Sequence, residues 1–442
     1  MKTSFDTNLL NALTATLDGE LYYNDQMRIL YSTDASVYKE YPLAVCYPKN
    51  EKDIQTLIQF AHQHKTSLIP RAAGTSLGGQ VVGNGIVVDI SKHLNNILKI
   101  DKDEKYCIVQ PGVVRDELNR QLKPYGLFFA PETSTANRAM IGGMVGNNSC
   151  GTNSIVYGST RDHVLELSGF LSDGAEAVFG NLTADDFNNK CLQQNLEGII
   201  YQFLQKELSE KETQQEILKQ FPNQKIHRRN TGYAVDELLK QQPFNENGKL
   251  FNMSELICGS EGTLAFITQI KLNLVPLPPK EKSLVAVHFN SLDESLRATV
   301  VAMQHQPTAC ELMDKIILDC TKENIEQNKN RFFVKGDPAA VLCVEFHGET
   351  RTEVEAKAKA LQDSFEKENI GYHFPYLFGE DINKVWTLRK AGLGLLANIP
   401  GDPKAVAVVE DTAVAVEDLP AYILDFENMM KSHGQRSVYY AH

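Results

Sequence analysis

The sequence lacks any apolar run near the roughly 20 residues that a membrane helix needs. Its start, MKTSFDTNLLNALTATLDGE, has neither the long apolar core nor the small-residue cleavage site of a signal peptide. No Cys-x-x-Cys pair occurs. The cysteines Cys46, Cys107, Cys150, Cys191, Cys258, Cys310, Cys320 and Cys343 stand apart. That spacing argues against a clustered iron–sulfur or zinc-finger site and reads as buried free thiols in a reducing cytoplasm. Positive charge is in deficit, 44 Lys and Arg against 56 Asp and Glu, for a net charge of −12. Nucleic acid and anionic membrane surfaces are thereby excluded as general partners, while local cations can still hold a small anion. There is no internal repeat and no low-complexity tract.

What is present is an ordinary globular composition, 42% hydrophobic and 23% charged, in 442 residues. That length predicts two or three packed units. Residues 1–39 read as a helical lead-in. Residues 52–64 carry apolar positions at helical spacing, with Asp53 as the cap. SLIPRAAG reads as a strand entering a glycine loop, GIVVDIS and YCIVQPGV as strands, and VRDELNRQLKPYG as an amphipathic helix. An α+β unit over 40–276 follows, with a polar helical insertion at about 181–254. PLPPKEK at 276–282 marks a boundary. Beyond it, over 283–442, SLVAVHFN, AAVLCVEFHG and KAVAVVED predict an antiparallel sheet with helices on one face.

Three loops carry the chemistry. The first runs Pro70-Arg71-Ala72-Ala73-Gly74-Thr75-Ser76-Leu77-Gly78-Gly79-Gln80. Its small residues let the backbone form a nest of N–H donors for a diphosphate, with two hydroxyls and Arg71 nearby. The second joins Pro131-Glu132-Thr133 to Ile141-Gly142-Gly143-Met144-Val145-Gly146-Asn147-Asn148-Ser149-Cys150-Gly151, a tight apolar turn with amides and hydroxyls. The third is Cys258-Gly259-Ser260-Glu261-Gly262-Thr263-Leu264. Read singly, each also fits a plain glycine turn or packing crossover. Gly392-Leu393-Gly394-Leu395-Leu396-Ala397 fits a dinucleotide fingerprint, but a helix, not a strand, precedes it.

Together, the order and spacing of these loops resemble the FAD-binding domain of the vanillyl-alcohol oxidase and p-cresol methylhydroxylase flavoproteins, over roughly residues 40–275. Tyr157-Gly158-Ser159-Thr160-Arg161-Asp162-His163-Val164, Ser172-Asp173-Gly174 and Asn230-Thr231-Gly232-Tyr233 extend the likeness. Within that family the sequence is most similar to D-lactate, glycolate and D-2-hydroxyglutarate dehydrogenases. The resemblance implies an α+β fold with a two-subdomain FAD-binding domain and a substrate cap. It assigns the first loop to the FAD pyrophosphate, and the second and third, with Tyr157, to the rest of the cofactor. Thr75 stands where covalent relatives carry the attaching histidine, and Cys150 lies in the wrong loop for a second attachment. FAD is therefore expected to bind without a covalent link.

The resemblance also assigns Arg389, after Trp-x-Leu, to the substrate carboxylate, with Lys404 as a second cation. Leu393 replaces an expected hydroxyl residue. Glu410 and Asp411 would sit near the flavin edge or pair with cap cations. His442 would open a divalent-metal motif whose later ligands lie past the last residue, so the sequence resembles a fragment of a longer chain. The implied reaction is hydride transfer from C2 of a small D-2-hydroxy acid to flavin N5. The electrons would pass on to a quinone, a cytochrome, a flavoprotein or an iron–sulfur domain. An electron-transfer module without its own substrate and an oxidase using oxygen are the alternatives.

Overall fold

The computed structural model describes residues 5–226, 228–229, 232–409 and 412–441, with Leu393 by its backbone alone. Strands β1 (Glu20–Tyr22) and β2 (Ala44–Tyr47), helix α1 (Glu51–His64), and strands β3 (Leu68–Arg71) and β4 (Ile86–Asp89) open the fold. The sheet order is β1-β2-β4-β3, with β4 parallel to both β2 and β3. Helix α1 crosses from β2 to β3 on either side of β4, and residues 72–85, which include the first glycine loop, make the crossover from β3 to β4. All four residues of β4 are buried, as its β-branched run requires. The lead-in is not wholly helical, because β1 pairs with β2. Nor does Asp53 cap α1. The Asn50 side chain does so, accepting from the Asp53 N–H. Asp53 is itself buried and accepts from the N–H groups of Asp18, Gly19 and Lys49 at 2.8, 2.9 and 2.8 Å.

A second, antiparallel sheet contains β5 (Ile97–Asp101), β6 (Tyr106–Val109), β7 (Val164–Phe170), β8 (Glu176–Phe179) and β9 (Phe266–Asn273), in the order β5-β6-β9-β7-β8. The stretch read as a tight turn is helical instead, α2 (Ile141–Asn147), ended by Asn148 in the left-handed conformation at φ 48°. Asn is among the few residues that accept that conformation readily. The insertion forms helices over Ala184–Cys191, Leu196–Ser209 and Lys211–Gln220.

The second unit comprises β10 (Glu281–Phe289), α3 (Leu292–Met303), β11 (Ala309–Asp314), α4 (Lys315–Lys322), β12 (Ala340–Gly348), α5 (Arg351–Lys367), β13 (Tyr376–Leu377), α6 (Glu380–Leu395) and β14 (Tyr440–Ala441). Its sheet, β13-β10-β12-β11-β14, is antiparallel throughout. The expectation of helices on one face is corrected. Val285, Val287, Leu342 and Val344 pack on α3 and α5, whereas Leu284, Ala286, Met313 and Cys343 pack on α4 and α6. Every residue of β12 is buried, as a strand covered on both faces must be. The KAVAVVED strand is also corrected, since residues 404–409 form an irregular, largely exposed segment. The strand in the sheet is β11 instead. No disulfide joins the cysteines, and all but Cys320 are buried. Among the described residues no helix is long and apolar enough to cross a membrane.

Candidate active site

A cleft opens where the first sheet meets α2 and the start of β9. Its walls include Pro70 through Ser76, Gln80, Thr133, Thr135, Gly142 through Asn147, Ser149 and Ser260 through Gly262. All three glycine loops thus converge on one space, of about 990 Å³ outside the protein atoms with open solvent included.

The loops are tied to one another. Gln80 Nε2 donates to Glu261 Oε1 at 3.1 Å, joining the first loop to the third. Thr135 Oγ1 lies 3.3 Å from Thr75 Oγ1, joining the second to the first. The N–H groups of Gly259 and Glu261 each donate at 2.9 Å, to Val145 O and Gly146 O of α2. Glu261 holds φ 55°, a left-handed conformation unusual outside glycine. Such strain persists only where the surroundings fix it, and it clusters at functional sites.

The cleft fits a diphosphate-bearing cofactor. Among the described residues, no backbone N–H of 72–77 donates a hydrogen bond within the chain. Five of these residues, 72–76, line the cleft, and successive free donors of this kind suit an anion. Arg71 lies at the same wall, its Nη2 donating to Thr33 O at 3.0 Å and its guanidinium over the Tyr31 ring. Its Nη1 is buried without a hydrogen-bond partner. On the facing wall a Cβ at Gly143 would lie 3.3 Å from the Ala72 Cβ, so the two loops approach as closely as small residues permit.

Several expected cofactor residues do not line this cleft: Gly78, Gly79, Pro131, Glu132, Asn148, Gly151 and Tyr157. Most of these brace the loops. Asn148 Oδ1 accepts from the Arg161 N–H at 2.8 Å, and Arg161 donates onward to Glu255 O and Cys258 O at 2.8 and 2.6 Å. Tyr157 O lies 2.8 Å from His163 Nε2, and burial raises the Tyr157 phenol above its ordinary value. A Cβ at Gly151 would meet Glu132 O at 2.5 Å. The wall also includes Ile90, Pro111, Met140 and Phe266, which sequence reasoning missed. They come from strand ends and turns without a motif of their own.

Helix α6 carries the cap chemistry. Arg389 is buried, 4% exposed, and Nη2 lies 2.5 Å from Glu311 Oε2 on β11. The guanidinium stacks 3.2 Å from the Tyr440 ring centroid. Burial pushes it below its ordinary pKa, and the Glu311 charge pulls it back. This arginine is held from two sides, with Nε left unpartnered. The next residue, Lys390, reaches the first unit, its Nζ 3.1 Å from Glu132 Oε1. Trp386 Nε1 donates to Glu345 Oε2 at 2.6 Å. Glu345 is buried, which raises its carboxyl pKa, but the His347 hydrogen bond, the Lys282 charge and the Trp386 indole outweigh that and hold it low. Glu311, Glu345, Lys390 and Tyr440 were not singled out in the sequence. An acid inside the apolar run ACELMD is the one local signal.

Lys404 is exposed and donates to Ile399 O of its own loop at 2.6 Å; none of its bonds joins it to Arg389. Asn230, Thr231, Glu410, Asp411 and His442 lie outside the described residues. Among the described residues no group of three or more His, Cys, Asp or Glu could hold a metal ion.

Comparison with known proteins adds to this geometry. The sequence matches the FAD binding domain family over residues 42–179 and the C-terminal domain family of FAD linked oxidases over residues 278–442. It is 36% identical to a D-2-hydroxyglutarate dehydrogenase of Pseudomonas putida, over 94% of this chain and 41% of that protein. A D-2-hydroxyglutarate dehydrogenase of Escherichia coli is 33% identical, over 92% of this chain and 40% of its own length. This chain therefore spans about two fifths of those two relatives. The glycolate oxidase subunit GlcD of Bacillus subtilis is 26% identical, over 88% of this chain and 68% of that protein. Among solved structures, p-cresol methylhydroxylase with substrate bound superposes with a TM-score of 0.60 at 12% identity, covering 89% of this chain and 69% of its own. That likeness concerns the fold.

Proposed function

Because this chain belongs to the FAD-linked oxidases, joining their FAD binding domain to their C-terminal domain, we propose that it oxidises a small D-2-hydroxy acid to the 2-keto acid. The substrate class is D-2-hydroxyglutarate, D-lactate or glycolate. The names of the similar proteins support this class. FAD held in the cleft supplies the two-electron acceptor for the hydride leaving C2 of the substrate.

The chain's own residues bind and orient. The N–H groups of 72–77 would take the diphosphate, while Thr75, Ser76, Gln80, Thr133, Asn147, Ser149 and Glu261 offer polar contacts along the cleft. Arg389 would grip the substrate carboxylate through the N–H groups that Glu311 does not use. Lys390, paired with Glu132 beside the cleft wall, holds that helix toward the cofactor. Lys404 would serve as the second cation. The described residues do not form a metal site, and no step here passes through a metal. A quinone, a cytochrome, another flavoprotein or an iron–sulfur domain would take the electrons onward.

The observation that carries the reading is the unpartnered, buried Nε of Arg389 on a helix tied to the cofactor cleft. The test is anaerobic: load the chain with FAD, add D-2-hydroxyglutarate, D-lactate or glycolate, and follow flavin bleaching. Bleaching by one of these acids is expected. No bleaching by any of them would favour an electron-transfer module without its own substrate. Rapid recolouring in air would mark an oxidase.

A further inference from the structure

We infer that Glu311 is a positioning residue that presets Arg389 as a carboxylate clamp; this rests on the role given to Arg389 above. Alternation along β11 sends Cys310 and Leu312 to one face of the sheet and Met313 to the α6 face, so Glu311 points at α6. Glu311 is 1% exposed. A buried guanidinium is tolerated only with a compensating partner, and Glu311 Oε2, 2.5 Å from Nη2, is that partner.

The geometry is not that of an arginine fully consumed by its counter-ion. Arginine has five N–H donors, and its strongest carboxylate pairing uses two parallel bonds. Nη2 contacts Glu311 and, at 3.4 Å, Ala441 O, whereas Nε is buried with no hydrogen-bond partner. Leaving a buried donor unsatisfied is costly unless something else fills it. The unsatisfied donor sits on a group that cannot swing away. Tyr440 covers one face of the guanidinium, and its hydroxyl donates to Arg389 O at 2.6 Å. One turn earlier, Trp386 bonds Glu345 on β12, the strand beside β11. Two carboxylates on neighbouring strands therefore fix the rotation of α6 and the plane of the fork. Through its pair with Arg389 Nη2, Glu311 acts on the site by way of Arg389.

The experiment uses the full chain loaded with FAD and oxalate as a non-reducing anionic probe, titrated through the flavin visible spectrum. Arg389→Ala should abolish the oxalate-dependent change. Glu311→Gln should weaken oxalate at least tenfold with FAD content unchanged. Glu311→Asp keeps the charge but withdraws it by one methylene, and should fall between. In flavin reduction by a substrate acid, both Glu311 variants should raise KM more than they lower kcat. A merely structural Glu311 would lower the melting temperature and leave the oxalate affinity of the folded protein alone. If Arg389→Ala loses oxalate while both Glu311 variants bind it as the parent does, positioning is overturned and the role of Arg389 stands. If the parent gives no oxalate response, or Arg389→Ala binds like the parent, the role of Arg389 fails as well. Should Glu311→Gln not fold, Glu311→Asp decides alone: parental affinity in it overturns the inference.

Discussion

Lys390 Nζ lies 3.1 Å from Glu132 Oε1 across 258 positions of sequence, and the pair joins the cap helix to the loop preceding Thr133 in the cofactor wall. Asn153 Nδ2 holds the other carboxylate oxygen at 3.2 Å. Half the Lys390 side chain is exposed, so the pair is worth about 0–1 kcal/mol in stability. Its importance is geometric. Lys390→Glu places two like charges together and should part the cap from the cleft with a small change in melting temperature. Acrylamide should then quench the fluorescence of bound flavin more strongly than in the parent. Unchanged quenching would show that other contacts hold the cap.

Gly143 faces Ala72 across the cleft, where a Cβ would already lie 3.3 Å from the Ala72 Cβ. Gly143→Asp adds bulk and a negative charge near the expected diphosphate. Two like charges near 4 Å repel by roughly 4 kcal/mol at an effective dielectric of 20. FAD affinity, measured by calorimetry, should fall at least tenfold, and Gly143→Ala should cost much less. Equal affinities for parent and Gly143→Asp would mean that the diphosphate lies elsewhere.

Thr75 lines the cleft, and its hydroxyl lies 3.3 Å from that of Thr135. A threonine hydroxyl offers no imidazole for attachment to the flavin. Acid precipitation of the loaded chain should leave the yellow colour in the supernatant. Colour kept in the pellet would reveal a covalent link.

His288 is fully buried beside His373, Tyr372 and Phe333. Nδ1 lies 2.8 Å from Ala286 O, and Nε2 accepts from the Lys335 N–H at 3.2 Å. Those partners suit the neutral ring, and burial pushes its pKa from 6.5 down to about 4. Between these values the unfolded chain holds a proton that the folded chain refuses. The stabilisation is therefore present above about 6.5 and is lost as pH falls toward 4, to a total of about 3 kcal/mol. Denaturant melts at several pH values should show His288→Gln losing less stability on acidification than the parent. Parallel curves would place the pH dependence on other groups.

The glycine loops were legible in the sequence because their chemistry is local: small residues, hydroxyls and amides in a short span. Arg389 was singled out through the family resemblance, by the Trp-x-Leu before it. Its partners were not, because Glu311 and Tyr440 meet it only after the sheet has formed. Strand β11 escaped notice since a strand covered on both faces shows no alternation, and ACELMD carries an acid inside an apolar run. KAVAVVED failed in the opposite sense, with β-branched residues in an exposed, irregular segment. IGGMVGN read as a turn because glycine opposes helix, yet Ile141, Met144 and Val145 bury one face and carry the turn into α2.

Strand β9 pairs with β6 on one side and β7 on the other, although both precede it by a long stretch of chain that includes the whole insertion. On the ribosome, β6 and β7 therefore emerge with a gap between them that nothing can fill until residue 273 has left the exit tunnel. The third glycine loop travels directly ahead of that strand, at Ser260–Gly262. At roughly 5–20 residues per second, the nascent first unit waits on the order of ten seconds with two strand edges open. Closure of the sheet and completion of the cofactor cleft are thus a single late event in synthesis, and a supply of FAD at that moment would act on the chain when its unpaired edges most need capping.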